Sequence, residues 1–455
     1  MPQQSINPAT GEMIQVFPDI SREAAARNIE KSHQVFSDWR NVSFAGRSGY
    51  LRAAAAVLRN GADRYAQIMV SEMGKPIRQA AAEVEKCAWV CDYYAENGEE
   101  LLNNRIINTD AHKSYMAHEP LGVILAIMPW NFPFWQVFRF AAPALMAGNT
   151  VLLKHASNVP MCSLAIEEIF AQAGFPQYCF KSLLASSSDV ETIIADKRIR
   201  GVSLTGSDAA GRKVAAAAGK YLKKCVLELG GSDPFIVLPD ADMEKAVAKA
   251  VESRMINNGQ SCIAAKRFIL HNSIADEFTE KFVSHVSRLK TGNPMDGNNE
   301  VGPVAREDLL EDLSRQVSKS VEMGARLLAG GNRMDGQGYF FAPTVLGEVS
   351  PGMPAYQEET FGPVAALIRA EDTARAVEIA NDSDFGLGAS IWSRNIDEAE
   401  MLASRIQSGS VFINGMVKSD PRLPFGGIKD SGYGRELSEP GIKEFVNIKT
   451  VWIAK

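Results

Sequence analysis

A short loop carries the side chain best suited to nucleophilic chemistry in this sequence. The segment NNGQSC, residues 257–262, follows a helical pattern and precedes the strand-like segment KRFIL at residues 266–270. Gly259 permits a sharp bend, and the loop can expose the sulfur of Cys262 while the main-chain N–H of the same residue faces a developing oxyanion. A free cysteine is more often a small buried hydrophobe, so the case for chemistry depends on other segments.

Three other segments supply groups that a cysteine nucleophile needs. Asn131, in PWNFP, follows a buried strand and can donate its amide to an oxyanion. Glu228, in LELGG, lies at an apolar strand end, where burial raises the pKa of a carboxyl group and suits it to act as a general base. Glu359 and Phe361, in EETFGPV, place a carboxylate and an aromatic ring at a tight turn. Taken singly, a turn asparagine, a salt-bridged glutamate and an edge turn explain these segments equally well.

The composition is that of a globular protein with more than one domain. A chain of 455 residues exceeds what one hydrophobic core supports, and its net charge of −6 argues against nucleic acid as the main partner. The most apolar stretch, residues 121–135, is too short for a bilayer, and the N-terminus has no secretory pattern. Cysteines without CxxC spacing, and no histidine beside Cys87 and Cys91, predict a reducing cytoplasm with no disulfide framework and no metal site.

Hydrophobic periodicity predicts an N-terminal helical region followed by two α/β units. Amphipathic, alanine-rich runs predict helices between Ser21 and Asn104. From Gly122, buried strands and helices alternate as βαβαβ up to the double glycine at residues 230–231, which predicts a parallel, doubly wound sheet. A second α/β unit follows, with strands at PFIVL and RFILH. In such sheets a ligand binds at the carboxyl ends of the strands.

The chain lacks the common dinucleotide and phosphate fingerprints, GxGxxG and Walker A. Gly206 and Gly211 flank the residues SDAA at a strand-to-helix turn, which offers main-chain N–H groups to an anion. Helix packing explains the two glycines equally well.

In their order along the chain, the four chemistry-bearing segments resemble the aldehyde dehydrogenase superfamily. The resemblance extends from NPATGE at residues 7–12 to PFGGIKDSGYGRE at residues 424–436. It implies that Cys262 attacks an aldehyde and that Asn131 and the N–H of Cys262 stabilise the alkoxide. Hydride then passes to a nicotinamide, and Glu228 activates the water that hydrolyses the thioester. One oxyanion donor of this kind is typically worth about 3 kcal/mol.

The resemblance also implies the fold of that family, with a Rossmann-like nucleotide domain, a second α/β catalytic domain and a small β-sheet for oligomerisation. The tail EFVNIKTVWIAK is expected to pair with the extended stretch near residue 115 and to join subunits into a homodimer or homotetramer. An edge strand within the monomer is the alternative. The expected boundaries are residues 1–105 and 121–229 for the nucleotide domain, 230–430 for the catalytic domain, and 106–120 with 431–455 for the bridging sheet.

The cofactor contacts also come from the resemblance. Glu359 would hold the nicotinamide ribose, Phe361 would flank the nicotinamide half, and the turn at Gly206 and Ser207 would meet the pyrophosphate. The expected cofactor-binding residues are Trp130, Lys154, Ser157, Gly206, Ser207, Gly211, Glu359 and Phe361.

The segment LLKHASN, residues 152–158, bears on the choice of cofactor. In many family members a glutamate three residues after the lysine binds the adenine ribose hydroxyls and disfavours a 2′-phosphate. This chain has Lys154 followed by Ser157, so that repulsion is absent and the lysine can pair with phosphate. NADP is therefore expected in preference to NAD. The alternative is a serine that only fills space, with both cofactors accepted.

Arg139 bears on the substrate. It lies four residues after Trp135, so both side chains project from one helix face toward Asn131. Family members that oxidise succinic semialdehyde carry this arginine for the distal carboxylate, and they carry a serine at the position of Ser419. These residues, with KHASN and FWQVFRF, are similar to the short bacterial and cyanobacterial succinate-semialdehyde dehydrogenases. The implied reaction is the oxidation of succinic semialdehyde to succinate, and a salt-bridged arginine is the alternative explanation of Arg139.

Two positions depart from some relatives. Ile256 stands where a second carboxylate-binding arginine occurs, so chain-length selectivity is expected to be loose and to admit glutarate semialdehyde or other aliphatic aldehydes. Ala264 stands where some relatives carry a second cysteine, so a local disulfide with Cys262 cannot form.

Three rival functions fit less well. A cysteine hydrolase needs a histidine base, and none of the six histidines has a matching local signature. A non-catalytic protein would have no reason to keep nucleophile, base and oxyanion donor together. In a CoA-acylating enzyme, Glu228 would hydrolyse the thioester before CoA arrived.

Overall fold

A computed structural model describes residues 2–455 of the chain. Ser21 and Ser43 each accept a hydrogen bond from a main-chain N–H in the first turn of the helix that follows, which fixes where those helices begin. The predicted helical region between Ser21 and Asn104 is confirmed. Within residues 2–455, no helix combines the length and the apolar character needed to cross a membrane. The helices are α1 (Arg22–Trp39), α2 (Phe44–Asn60), α3 (Ala62–Met73), α4 (Ile77–Leu102), α5 (Trp135–Met146), α6 (Pro160–Gln172), α7 (Val190–Ala195), α8 (Asp208–Lys220), α9 (Met243–Met255), α10 (Ala275–Val286), α11 (Glu307–Glu322), α12 (Pro354–Gln357), α13 (Thr373–Asn381), α14 (Ile396–Ala403) and α15 (Ser438–Ile442).

The strands form two large sheets and three small ones in the part of the chain that the structure describes. Short 3-10 turns at Ser187–Asp189 and Ile256–Gly259 complete the regular structure. The strands are β1 (Gln3–Ile6), β2 (Met13–Phe17), β3 (Arg105–Ile106), β4 (Lys113–Pro120), β5 (Val123–Met128), β6 (Thr150–His155), β7 (Phe180–Ser182), β8 (Ile199–Thr205), β9 (Lys224–Glu228), β10 (Pro234–Val237), β11 (Arg267–His271), β12 (Arg326–Ala329), β13 (Thr344–Gly347), β14 (Val364–Ala370), β15 (Phe385–Gly386), β16 (Gly388–Trp392), β17 (Ser410–Ile413), β18 (Ile428–Lys429), β19 (Gly432–Tyr433) and β20 (Val446–Ile453).

The first large sheet contains the predicted βαβαβ unit. Its order is β19-β9-β8-β5-β6-β7, and strands β5 to β9 are parallel. Ile124 and Leu125, neighbours in β5, lie in different hydrophobic clusters, so both faces of the sheet are buried. The predicted parallel, doubly wound sheet is confirmed. Because β6 and β8 flank β5 on opposite sides, the winding reverses there, and such a reversal leaves a crevice at the carboxyl ends of the strands.

The second large sheet has the order β12-β13-β14-β11-β10-β16-β17. All its pairs are parallel except β12 with β13. The predicted strands PFIVL and RFILH form neighbouring parallel strands, β10 and β11, within it. Ile236 and Val237 in β10 again pack into separate clusters, which buries both faces.

The C-terminal segment pairs as the sequence suggested. Strand β20 runs antiparallel to β4, from Val446 opposite Pro120 to Ile453 opposite Lys113, and β3 extends this sheet. Before it enters this sheet, the chain contributes β19 to the first large sheet, antiparallel to β9. The pairing within one chain is confirmed, whereas the joining of subunits and the domain boundaries stay predictions.

Candidate active site

The loop that carries Cys262 is bent by three consecutive residues in the left-handed region. Asn257, Asn258 and Gly259 have φ values of 52°, 58° and 75°. Asparagine tolerates this conformation better than most residues do, and glycine adopts it without strain. A Cβ on Gly259 would collide with the main-chain oxygen of Gly362, so this position also requires glycine for space. The sharp bend predicted at Gly259 is confirmed.

Asn258 fastens this loop to the rest of the protein. Its side chain is fully buried and donates to the carbonyls of Gly74 and Pro303, both at 2.9 Å, while its oxygen accepts from the N–H of Gly302 at 2.7 Å. A buried amide with three partners fixes the backbone to which it belongs. Asn258 could not be recognised from the sequence, because its partners are distant along the chain.

The structure brings Asn131 to the nucleophile loop. Its Nδ2 atom donates to the carbonyl of Gln260 at 3.1 Å, and the side chain of Asn257 donates to the carbonyl of Asn131 at 2.7 Å. Asn131 is buried, and its side-chain oxygen has no partner. One N–H of the amide is therefore held by the loop, which leaves the second N–H free to donate, and its donation to an oxyanion stays a prediction.

Glu228 is the last residue of β9 and is buried. Both carboxylate oxygens lack a hydrogen-bond partner in the described residues. Burial raises the pKa of this carboxyl group well above its usual value, and the nearby charge of Arg139 opposes the shift. An unpartnered carboxyl group with a raised pKa is suited to exchange a proton with a water or a thiol.

The thiol of Cys262 is half-buried, and burial raises its pKa to about 12. The positive charges of Arg139 and Lys266 oppose this shift. The charge of Arg139 thus acts on both the predicted nucleophile and the predicted base, and their roles stay predictions. The neutral thiol dominates near pH 7, so the attack requires that its proton be removed.

Lys266 is a buried cation beside the nucleophile that the sequence analysis did not single out. Its Nζ atom donates to the carbonyls of Ser261 and Cys262, both at 2.8 Å, and it lies 3.4 Å from Oε1 of Glu359. Lys266 therefore connects the nucleophile loop to the carboxylate predicted at the nicotinamide ribose. The sequence offered one signal for this residue, because Lys266 is a charged residue directly before the buried strand β11.

Arg139 lies in α5 and is fully buried. Its Nε atom forms an ion pair with Glu436, its Nη2 atom donates to Oγ1 of Thr205 at 3.3 Å, and its guanidinium stacks 4.5 Å above the ring of Phe425. Arg139 is therefore salt-bridged, as the alternative explanation of this residue required, and its ion pair with Glu436 is buried. Two of its three nitrogens are occupied, and binding of a substrate carboxylate by Arg139 stays a prediction.

Ser419 and Trp135 lie together, joined by Lys86 of α4. The Nζ atom of Lys86 donates to Oγ of Ser419 at 2.8 Å and lies 4.2 Å from the centre of the Trp135 ring. Ser419 and Trp135 are buried, and Lys86 is half-buried. The charge of Arg139 contributes to a lowered pKa of Lys86, so the guanidinium is also near. The sequence analysis missed Lys86 because it lies in a helix without a recognised motif.

The predicted nicotinamide side of the site contains Glu359, Phe361 and Trp130. The Oε1 atom of Glu359 accepts a hydrogen bond from the N–H of Gly231 at 3.0 Å. Phe361 and Trp130 meet edge to face, with ring centroids 5.7 Å apart. An open cleft borders Glu359 and Phe361. The structure brings these residues together, and their contacts with a cofactor stay predictions.

The residues predicted to bind the phosphates and the adenine ribose lie at the carboxyl ends of β6 and β8, on the same side of the first sheet. Ser207 caps α8 by accepting from the N–H of Ala210 at 3.3 Å, and Gly206 precedes it. Lys154 is buried near the end of β6 and donates to Oγ of Ser187 at 3.4 Å, while Ser157 is exposed. A cation, a helix N-terminus and an exposed hydroxyl at one sheet edge fit the phosphates of a dinucleotide.

Gly211 has a packing role that the structure explains. A Cβ at this position would lie 2.6 Å from the side chain of Leu229. Glycine therefore lets α8 approach the end of β9 closely, as the helix-packing alternative required. A contact between Gly211 and the cofactor stays a prediction.

Comparisons with known proteins agree with this geometry. The aldehyde dehydrogenase family profile matches residues 2–451. A probable succinate-semialdehyde dehydrogenase [NADP(+)] of Synechocystis sp. is 52% identical over 99% of both chains, and succinate-semialdehyde dehydrogenase [NADP(+)] 1 of Mycobacterium tuberculosis is 51% identical over the full length of both. The crystal structure of succinic semialdehyde dehydrogenase from Streptococcus pyogenes in complex with NADP+ has a TM-score of 0.98 at 39% identity, with both chains fully covered. The crystal structure of succinate-semialdehyde dehydrogenase from Burkholderia pseudomallei has a TM-score of 0.97 at 35% identity, covering 100% of this chain and 95% of the other. The match of nearly the whole chain, together with the nucleophile loop, the PWNFP turn and the LELGG strand end, establishes that this protein belongs to the aldehyde dehydrogenase family.

Proposed function

We propose that this protein oxidises succinic semialdehyde to succinate and prefers NADP to NAD. The observation that carries the proposal is the buried guanidinium of Arg139, whose charge acts on both Cys262 and Glu228. A positive charge beside the nucleophile favours an aldehyde that carries its own carboxylate. The names and full-length identity of the relatives support the same substrate and the same cofactor.

In this proposal Cys262 forms the covalent bond to the substrate. Its thiol loses a proton and attacks the aldehyde carbon, which gives a thiohemiacetal. The free N–H of the Asn131 amide and the main-chain N–H of Cys262 stabilise the alkoxide. When bound, the nicotinamide supplies the hydride acceptor that turns the thiohemiacetal into a thioester. Glu228 then removes a proton from water, and the resulting hydroxide releases succinate and restores the thiol.

The preference for NADP rests on Lys154 and Ser157. The ammonium of Lys154 makes one hydrogen bond, 3.4 Å to a serine hydroxyl, and Ser157 is exposed beside it. Neither residue repels a 2′-phosphate, and the lysine attracts it. We assign the nucleotide-binding domain to residues 1–105 and 121–229, and the catalytic domain, with its Cys262 loop, to residues 230–430.

The assembly and location are part of the same proposal. The three-stranded sheet of β3, β4 and β20 lies in the bridging region that we assign to residues 106–120 and 431–455, and it exposes Ile448 and Trp452 by more than half of their surface. Exposed apolar side chains on a sheet suit a subunit interface, so we propose a homodimer or homotetramer. A nucleophilic thiol must stay reduced, which favours the cytoplasm.

A steady-state panel tests this function. Succinic semialdehyde, glutarate semialdehyde and butyraldehyde are compared with NADP and with NAD, and the reduced cofactor is followed by absorbance. We expect the highest kcat/KM for succinic semialdehyde with NADP, with glutarate semialdehyde second because Ile256 supplies no second cation. A kcat/KM for butyraldehyde higher than that for succinic semialdehyde would contradict the proposed substrate. A kcat/KM with NAD equal to that with NADP would contradict the proposed cofactor preference.

A further inference from the structure

The ammonium group of Lys86 contacts both Trp135 and Ser419. The Nζ atom is held in place by a hydrogen bond of 2.8 Å to Oγ of Ser419 and by the face of the Trp135 ring at 4.2 Å. Both partners are electrically neutral. A half-buried cation held only by neutral groups gains most when an anion approaches it.

The carboxylates around Lys86 are already paired with other cations. Glu83 pairs with Lys75, Glu436 pairs with Arg139, and Asp420 pairs with Arg422 at 2.7 Å. Within residues 2–455, Lys86 itself forms no ion pair with a carboxylate. Lys86 therefore carries an unneutralised positive charge.

One edge of the Arg139 guanidinium, formed by Nε and Nη2, is already occupied in this conformation. Its Nε atom is paired with Glu436, and its Nη2 atom donates to Thr205. A bidentate contact through this edge would require the ion pair with Glu436 to break, although the N–H groups of Nη1 are not engaged by any described residue. Lys86 and Ser419 need no such rearrangement, because the ammonium has three protons and donates only one to the serine.

We propose that Lys86 binds the distal carboxylate of the substrate together with the hydroxyl of Ser419, and so determines the selectivity for short ω-oxo acids. This inference rests on the proposed function. Arg139, whose charge acts on Lys86, then adds positive potential while its ion pair with Glu436 stays closed. The ring of Trp135 packs against the ammonium at 4.2 Å and holds it beside Ser419.

The pH dependence gives a signature that a structural lysine would lack. Burial, followed by the nearby charge of Arg139, lowers the pKa of Lys86 to about 8, whereas Glu83, Cys87 and Asp420 oppose the shift. The ammonium is present below this pKa and is lost as the pH rises through it. The KM for succinic semialdehyde should therefore rise above about pH 8, while the KM for butyraldehyde should show no such rise.

The test compares Lys86→Met with Lys418→Met in the full-length enzyme. Both changes remove one lysine charge, but Lys418 is exposed, whereas Lys86 is half-buried and donates to Ser419. For Lys86→Met we expect the KM for succinic semialdehyde to rise about tenfold or more, because a charge-assisted hydrogen bond is lost. The kcat/KM for butyraldehyde should stay within about twofold, and Lys418→Met should resemble the wild type in both assays.

Lys86→Arg is the control for a folding defect. It keeps the charge, so it should retain selectivity for the acid, and the rise in KM above about pH 8 should disappear since arginine does not titrate there. Equal losses on both aldehydes in Lys86→Met, or an unchanged KM for succinic semialdehyde, would overturn the assignment of Lys86. A wild type without preference for the acid would instead overturn the proposed function, so the two failures are distinguishable.

Discussion

The side-chain amide of Asn131 donates a hydrogen bond to the main-chain carbonyl of Gln260, two residues before Cys262, at 3.1 Å. The side chain of Asn257 donates to the same carbonyl at 3.0 Å and to the carbonyl of Asn131 at 2.7 Å. The oxyanion donor and the nucleophile loop are thus held as one unit before any substrate binds. Such preorganisation is what makes a hydrogen-bond donor effective in a transition state.

Asn131→Ala is expected to reduce kcat by about a hundredfold to a thousandfold, because one oxyanion donor is lost. The Kd for NADP, measured by fluorescence titration, should stay unchanged. Asn257→Ala is the control for the loop, since it keeps the donor but loosens the unit, and its loss in kcat should be smaller. A loss in Asn131→Ala no larger than that in Asn257→Ala would argue against the oxyanion role.

Cys262→Ala is expected to lower turnover more than about a thousandfold, because no covalent intermediate can form. NADP should still bind with its normal Kd. Substantial residual dehydrogenase activity would remove Cys262 from the mechanism.

The thiol of Cys262 should also show its raised pKa in the free enzyme. Burial raises this pKa to about 12, so the thiolate fraction is small at neutral pH and increases with pH. Alkylation by iodoacetamide, followed by mass spectrometry, should accelerate steadily up to pH 10 without reaching a plateau. Lys266→Met should slow it further at each pH, because the cation that opposes the shift is gone. A plateau near neutral pH would show that the resting thiol is already ionised.

Glu228→Ala is expected to form the thioester but not to hydrolyse it at a useful rate. Rapid mixing with substrate should show a burst of reduced cofactor approaching one equivalent per active site, followed by a slow steady state. Glu228→Gln, which keeps the volume of the side chain, should give the same burst. Absence of the burst in both variants would place Glu228 before hydride transfer rather than after it.

The deacylation rate of the wild type should increase with pH, because Glu228 acts as a base only in its ionised form. Burial raises the pKa of Glu228 well above its usual value, so the carboxyl group is protonated at low pH and cannot act as a base. The active ionised form appears as the pH rises. Single-turnover deacylation measured across the pH range should follow that direction, and a rate that falls with pH would contradict it.

Ser157→Glu is expected to shift the ratio of kcat/KM for NADP over NAD toward NAD by about tenfold or more, because a carboxylate repels the 2′-phosphate. Ser157→Gln is the neutral control of the same size and should keep the preference for NADP. If the two variants change the ratio equally, side-chain bulk rather than charge sets the preference.

Arg139→Ala is expected to raise the KM for succinic semialdehyde far more than that for butyraldehyde, since it removes positive charge from the substrate pocket. The single change also leaves Glu436 buried without its partner, and an unpaired buried charge is costly. The added negative charge near Glu228 should depress kcat for both aldehydes.

The double variant Arg139→Ala with Glu436→Gln separates these two effects. It removes the unpaired carboxylate, so activity on butyraldehyde should recover, whereas the KM for succinic semialdehyde should stay raised. Recovery on both aldehydes would show that Arg139 serves Glu436 and not the substrate.

Local patterns in the sequence predicted most of the architecture. The βαβαβ succession from Gly122 to the double glycine and the strands PFIVL and RFILH appear where periodicity placed them, because burial on both faces of a parallel sheet leaves continuous apolar runs. The pairing of β20 with β4 could be inferred from two unpaired extended segments. The hairpin of β1 and β2 was not predicted, since its strands are short and mostly exposed.

The sequence by itself determined which groups can do chemistry. Cys262, Asn131 and Glu228 are recognisable because each belongs to a short motif, and the order of these motifs along the chain resembles that of one family. The tertiary structure alone decided that Arg139 pairs with Glu436 and that Lys86 reaches Ser419, since each pair joins segments about 300 residues apart. Charge pairing depends on distance in space and on desolvation, and neither is encoded in the spacing of residues along one helix or strand.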